Sequence, residues 1–92
     1  MITAFLLVTC RPAEIHEAGR ALADLDGIAE VWTTTGAVDF IAEVRVADLD
    51  ALAALVTEHV ARVPGIVRTD THLAMRSYGR REIEAAFDIG VD

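Results

Sequence analysis

The chain has 92 residues, the length of one small domain. Its net charge is −7 and its basic residues are eight arginines, so we expect no direct binding to nucleic acid. One cysteine excludes an intrachain disulfide framework, and no apolar run approaches the roughly 20 residues of a membrane span. Because no basic stretch precedes an apolar core at the start of the chain, we expect no signal peptide and a cytoplasmic protein.

The first half of the chain predicts a strand, a helix and a second strand. Residues 3–9 have the length and the aliphatic content of a buried strand. Pro12 suits the first turn of a helix, and apolar residues then recur at helical spacing until Asp26 and Gly27 end it. Residues 28–34 are rich in β-branched side chains and predict the second strand.

The second half predicts the same elements again. A turn at Gly36 leads into a third strand over residues 39–46. Asp48 is a good N-cap for a second helix that ends before Gly65, and residues 66–76 predict the fourth strand. The second helix is expected to bury one apolar stripe, formed by Leu49, Leu52, Leu55, Val56, Val60 and Val63.

The two halves repeat, and the repeat predicts the topology. The residues that correspond between the first and third strands are Ala4, Leu6 and Val8 with Ala42, Val44 and Val46. Each half is a β-α-β unit, whose crossover is right-handed. Interleaving the halves predicts an α+β, ferredoxin-like βαββαβ fold, with an antiparallel sheet in the order 4-1-3-2 and both helices on one face.

Association with other copies is expected from the first strand and from the composition. Phe5 and Leu7 make the second face of this strand apolar, and such a strand needs cover on both sides. The chain is also 53% hydrophobic, which is more than so small a domain can bury alone. The sequence therefore predicts a homodimer in which two sheets face each other as a dimeric α/β barrel.

The domain is expected to span residues 1–78, followed by a tail over residues 79–92. In the tail, Ile83 and Phe87 stand one helical turn apart, which suggests a short amphipathic helix. This helix could dock on its own domain or reach a neighbouring subunit.

No motif predicts a cofactor, a metal site or a reaction. His16, His59 and His72 are far apart and lack the local pairing of a zinc site. Cys10 has no adjacent base and is better explained as a small residue at a strand end. Neither a nucleophile elbow nor a glycine-rich phosphate loop occurs, so we do not expect an enzyme.

The turn between the second and third strands is the most unusual segment. Threonines precede Gly36, and the acidic Asp39 follows at the start of a central strand, where strand propensity does not explain it. On the fourth strand, Thr69 and Thr71 place two hydroxyls on an otherwise apolar face. Such hydroxyls need water or a ligand as a partner.

These segments resemble the Lrp/AsnC ligand-binding domain. The resemblance rests on T-G-A-V-D-F between two strands and on P-G-I-V-R-T-D-T after a helix, and it covers roughly residues 3–76. We expect no N-terminal helix-turn-helix, because the first strand begins close to Met1. The resemblance implies a transcriptional modulator without its own DNA-binding part. It would bind an amino acid or a related effector between dimers, in rings such as octamers.

The resemblance also implies the site residues, which are Gly36, Ala37, Val38, Asp39, Thr69 and Thr71. Asp39 would pair with an α-ammonium group, the turn N–H groups beside Gly36 would hold an α-carboxylate, and the two threonines would bond the remaining end. A full-length Lrp/AsnC relative is a possible protein partner.

Two other functions stay open. A small dimeric α/β-barrel enzyme would need a polar pocket between helices and sheet, with His16 or His59 as a base. The apolar faces described above leave little room for such a pocket. A purely structural module would instead assemble into rings whether or not a metabolite is present.

Overall fold

The computed structural model describes residues 1–80, so the predicted tail, apart from its first two residues, lies outside the described residues. The elements occur in the predicted order. They are β1 (Ile2–Cys10), α1 (Ile15–Ala23) after a 3-10 turn (Pro12–Glu14), β2 (Ile28–Thr33), β3 (Phe40–Val46), α2 (Leu49–Ala54) and β4 (Ile66–Leu73).

The four strands form one antiparallel sheet in the order β2-β3-β1-β4. This is the predicted ferredoxin-like topology. The central strand β1 pairs with β3 on one side and β4 on the other, so that Leu6 lies opposite both Ala42 and Thr71. Directly opposed side chains share a face of the sheet, and the register therefore decides which residues can meet.

One face of the sheet is buried beneath the helices. Phe40 on β3 and Leu6 on β1 are at most 1% exposed, and Leu22 of α1 packs into the same cluster. Burial of a side chain of this size contributes roughly 1.5–3 kcal/mol. The predicted inward alternation is confirmed on both central strands, by Ala4, Leu6, Val8, Phe40, Ala42, Val44 and Val46.

The second helix is less regular than its pattern predicts. Asp48 caps it as expected, since its Oδ1 accepts a 2.8 Å hydrogen bond from the backbone N–H of Ala51. The α-helix then passes into a π-helical turn (Leu55–His59) and a 3-10 turn (Val60–Arg62). Because a π turn closes between residues five apart, Leu55 and Val60 reach the core together.

The predicted apolar stripe of this helix is wrong at its first position. Leu49 is 59% exposed, because it begins the helix beyond the part that packs on the sheet. Strand ends also differ slightly from the prediction. Strand β4 ends at Leu73, and Met75 beyond it is 93% exposed.

The other face of the sheet has no cover from the described part of the chain. Phe5 and Trp32 are 37% and 44% exposed on this open face. Charged side chains surround them, including an ion pair of 2.7 Å between Arg45 and Glu43. Within residues 1–80, no helix is long and apolar enough to cross a membrane.

Candidate functional site at the turn between β2 and β3

The turn between β2 and β3 is closed by its own hydrogen bonds. The backbone N–H of Thr34 donates to the carbonyl of Asp39 at 3.0 Å, and the Thr34 hydroxyl donates to the carbonyl of Val38 at 3.1 Å. Gly36 has a φ of 102°, a conformation that favours glycine. Within residues 1–80, apart from Gly36 and its two chain neighbours, no atom lies within 4 Å of the position a Cβ would take there, so the outer side of the turn is open towards the rest of the described chain.

Asp39 connects this turn to β1. Its backbone N–H donates to the carbonyl of Val8 at 2.9 Å, and its Oδ2 accepts from the backbone N–H of Cys10 at 2.8 Å. The carboxylate thus continues the pairing of β1 with β3 after the backbone has turned away. This contact gives an acid at the start of β3 a structural reason that the sequence did not reveal.

Cys10 lies beneath this contact and is 4% exposed. Burial raises the pKa of its thiol, and the negative charges of Asp39 and Glu14 raise that pKa further. The thiol therefore stays protonated at neutral pH and is a poor nucleophile.

Thr69 and Thr71 lie on the helix-facing side of β4. They stand opposite Val8 and Leu6 of β1, both of which are fully buried beneath the helices. Thr69 is half-buried and Thr71 is exposed, and the neighbouring Leu73 is 43% exposed. The helices therefore leave this part of the edge strand accessible to a ligand or to another chain.

A shallow pocket adjoins the turn on the open face of the sheet. Its volume is about 240 Å³, and its lining is Leu7, Thr9, Ala37, Val38, Arg68 and Asp70. The structure thus brings the predicted residues Ala37 and Val38 together with Arg68 and Asp70. Arg68 and Asp70 alternate along β4 with the predicted threonines. Arg68 and Asp70 were not predicted from the sequence, because only the register of β4 against β1 places these alternate residues beside the turn.

A larger crevice lies on the helix-facing side, between α1 and β2. It has a volume of about 350 Å³ and is lined by Ile15, His16, Gly19, Arg20, Ala23, Val31, Thr33 and Phe40. The sequence left little room for a polar pocket between helices and sheet, and most of the residues that line this crevice are apolar, with His16, Arg20 and Thr33 as the polar ones. The room arises because α1 presents the small residues Gly19 and Ala23 towards the edge of the sheet.

The histidines lie in three separate places. His16 lines the crevice, His59 lines a pocket with Asp24 and Asp26, and His72 contacts Asp70 at 3.0 Å. Among residues 1–80, no three histidine, cysteine, aspartate or glutamate side chains are grouped so that they could hold a metal ion.

The strand order, with both helices on one face of the sheet, defines a ferredoxin-like domain. The family model of the Lrp/AsnC ligand binding domain matches residues 3–83, and the chain belongs to this family. The family that the turn and β4 motifs resemble is thereby confirmed.

Relatives of known structure have the same fold. TTHA0845 from Thermus thermophilus is 41% identical, with a TM-score of 0.82, and the match covers 87% of this chain and 100% of that one. A feast or famine regulatory protein from M. tuberculosis, solved in complex with L-methionine, is 22% identical with a TM-score of 0.73. That match covers 88% of this chain and 55% of the regulator.

A curated relative is an uncharacterised HTH-type transcriptional regulator of Pyrococcus abyssi, 32% identical over 72 residues. The match covers 78% of this chain and 46% of the regulator, so this chain spans about half the length of the curated relatives it matches.

Proposed function

We propose that this chain binds a free amino acid or a related small effector and modulates transcription without contacting DNA itself. The observation that carries the proposal is the turn over residues 36–39, which is closed by its own hydrogen bonds and open on its outer side. Family membership supports the regulatory role. The proposed ligand-binding residues are Gly36, Ala37, Val38, Asp39, Thr69 and Thr71.

The chemistry of the turn suits a zwitterion. Asp39 uses Oδ2 to accept from Cys10, and its negative charge remains available to an α-ammonium group. Backbone N–H groups beside Gly36 can donate to an α-carboxylate, since the space outside the turn is open. The hydroxyls of Thr69 and Thr71 would bond to whichever end remains. The L-methionine complex of the mycobacterial relative supports an amino acid as the ligand class.

The site is proposed to lie between dimers. The threonines occupy an edge strand on which Leu73 is exposed, and a neighbouring subunit would cover this edge. A ligand held between subunits binds the assembled state better than the separated one, so its binding would shift the assembly equilibrium. The ligand would in this way control the oligomeric state.

The assembly is proposed to start from a homodimer. Two copies would face each other through the open sheet face, which exposes Phe5 and Trp32, and dimers would join into a ring such as an octamer. A full-length Lrp/AsnC relative in the cytoplasm is the proposed protein partner. Because the net charge is −7, that partner would supply the contact with DNA.

An enzymatic function has weaker support. His16 lines the crevice, but the other polar side chains there are Arg20 and Thr33, which give an imidazole base neither an acid partner nor a nucleophile of low pKa. The curated relatives are named as transcriptional regulators, which favours a regulatory role. A module that assembles without any ligand is the second alternative, and the experiment below separates it from a sensor.

The test is a thermal-shift screen of the twenty amino acids, followed by calorimetry and light scattering on each hit. A ligand at 100 times its Kd stabilises the folded state by roughly 2.7 kcal/mol, which raises Tm by roughly 10–20 °C for a domain of this size. Asp39→Asn is the informative variant, because its amide oxygen can still accept from Cys10 while the charge is lost. We expect it to lower the affinity roughly tenfold or more.

Two results would contradict the proposal. Equal affinity of the Asp39→Asn variant and the original chain for every ligand would exclude the ammonium pairing. A stable ring that forms without any ligand, together with no hit in the screen, would favour the structural module.

A further inference from the structure

The crevice between α1 and β2 is separate from the proposed effector site and shares no residue with it. We propose that this crevice binds a small apolar carboxylate that carries no amino group, with its tail over Phe40 and its carboxylate between Arg20 and Thr33. The proposal stands independently of the proposed function, because the crevice lies between α1 and β2 and none of the proposed effector-binding residues lines it.

The floor and walls of the crevice are apolar. Phe40 forms the floor and is only 1% exposed, while Ile15 and Val31 form the walls. Gly19 keeps the crevice open above the ring, since a Cβ there would lie 3.0 Å from Cε1 of Phe40. The volume of about 350 Å³ is at the lower end of the range for small-molecule sites, which suits a ligand with a short branched tail.

The polar groups of the crevice are concentrated at its rim. His16 and Arg20 are four residues apart on α1 and therefore lie on the same side of the helix, and Thr33 faces them from β2. Within the described residues, Arg20 makes no ion pair, whereas Arg11 and Arg45 each contact a glutamate. The helix dipole favours a positive charge in the last turn of α1, which accounts for an arginine at position 20. It does not account for the position of that arginine at the rim of the crevice.

The charge of the lining selects an anion. Within residues 1–80, no aspartate or glutamate lines the crevice. A carboxylate can accept from Arg20 and from the hydroxyl of Thr33, and an arginine fork matches carboxylate geometry. An α-ammonium group would find neutral acceptors on Thr33 and His16 but no carboxylate in the described lining, and it would lie close to the positive charge of Arg20. The crevice therefore discriminates against amino acids and selects the corresponding acids without nitrogen.

This selectivity is opposite to that of the proposed turn site, where Asp39 favours an ammonium group. Two sites of opposite preference on one subunit would let it respond to an amino acid and to a deaminated acid separately. The two sites lie on elements joined through Thr33 and Phe40, which flank the turn.

The test is an NMR titration of the ¹⁵N-labelled full chain with 4-methylpentanoate, L-leucine and 4-methylpentan-1-ol. These probes share one branched tail and differ in the polar end. We expect 4-methylpentanoate to shift the amides of α1 and β2, and to bind at least tenfold more tightly there than the other two. Arg20→Gln should weaken this binding roughly tenfold, and Thr33→Val should weaken it to a smaller extent.

Two control variants make the result specific. Arg62→Gln removes one positive charge from an exposed position outside the crevice and should leave the affinity for 4-methylpentanoate unchanged. Asp39→Asn should also leave it unchanged, which separates this site from the turn. The proposal is overturned if L-leucine or the alcohol binds the crevice as well as the acid, if Arg20→Gln has no effect, or if 10 mM acid (roughly the weakest useful affinity) shifts no amide of α1 or β2.

Discussion

Two glycines with similar positive φ angles serve different purposes in this domain. Gly36, in the turn between β2 and β3, has a φ of 102°, and Gly65, just before β4, has a φ of 92°. A Cβ on Gly36 would meet no atom of residues 1–80 within 4 Å, apart from its own chain neighbours. A Cβ on Gly65 would collide with the side chain of Glu14 and would lie 3.3 Å from Sγ of Cys10.

This difference shows that Gly65 is needed for packing, whereas Gly36 lies at an accessible position. Gly65 lets the loop after the second helix close against β1, where its carbonyl accepts from the backbone N–H of Arg11 at 2.8 Å. Gly36 is required by its φ, and the part of the chain that the structure describes does not pack against it. Residues that are constrained by conformation but not by packing are the ones that a ligand can still approach.

The largest effect is expected for Gly65→Ala. The positive φ costs an L-residue roughly 1–2 kcal/mol, and the forced contact with Glu14 adds about 1–3 kcal/mol. Urea denaturation should therefore show a loss of about 2–5 kcal/mol in the free energy of unfolding. Ligand affinity, measured on the fraction that remains folded, should not change.

Glu14→Ala provides the control for this prediction. Alone, it removes only an exposed ion pair of 3.0 Å with Arg11, which is worth at most about 1 kcal/mol. In the double variant, part of the loss caused by Gly65→Ala should be recovered, because the colliding carboxylate is gone. Strict additivity of the two substitutions would show that the Glu14 carboxylate does not contribute to the loss, since the Cβ of residue 14 remains in both backgrounds.

The next largest effect is expected for Asp39→Ala. It leaves the backbone N–H of Cys10 without its acceptor, which costs about 1–3 kcal/mol when the group is shielded from water. Asp39→Asn retains an acceptor oxygen and should cost clearly less. The comparison of the two by thermal denaturation would assign the stability to the hydrogen bond or, if both variants lose the same amount, to the charge.

The fold was predictable because its signals are local and repeated. The inward alternation along β3 and its match to β1 require only the period of a strand, and the helix start at Asp48 requires only a capping residue. The π-helical turn after Ala54 was not predictable from the apolar stripe. The stripe predicts which residues are buried. It does not predict whether the backbone between Leu55 and Val60 forms α-helical or π-helical hydrogen bonds.

The candidate site was predictable only in part, because it depends on register. The turn residues are contiguous in the chain, whereas the side of the sheet on which Thr69 or Arg68 lies follows from pairing with β1. The hydrogen bond from Cys10 to Asp39 joins residues 29 positions apart, so no short sequence pattern predicts it. The crevice beside Gly19 depends on how closely α1 approaches Phe40, which is a property of the packed domain.

A smaller effect is expected for Gly36→Ala. Only the conformational cost of roughly 1–2 kcal/mol applies, since no neighbouring atom obstructs the new methyl group. Gly36→Asn should cost less, because asparagine tolerates positive φ better than alanine does. In contrast to Gly65→Ala, both variants should weaken amino-acid binding by the folded protein, which calorimetry can measure. Unchanged affinity would remove Gly36 from the proposed site.

The smallest effect is expected for Thr34→Val, which tests whether the turn holds its own shape. The substitution keeps the shape of the side chain and removes the hydroxyl that donates to Val38, so we expect a loss of about 0.5–1 kcal/mol in the free energy of unfolding. Thr35→Val is the matched control, since Thr35 is exposed and its hydroxyl makes no hydrogen bond within residues 1–80. If the turn is preorganised by Thr34, then Thr34→Val should also weaken ligand binding, because part of the binding free energy would be used to order the turn. Equal effects of the two substitutions on stability and on affinity would instead show that the turn is ordered by the adjoining strands alone.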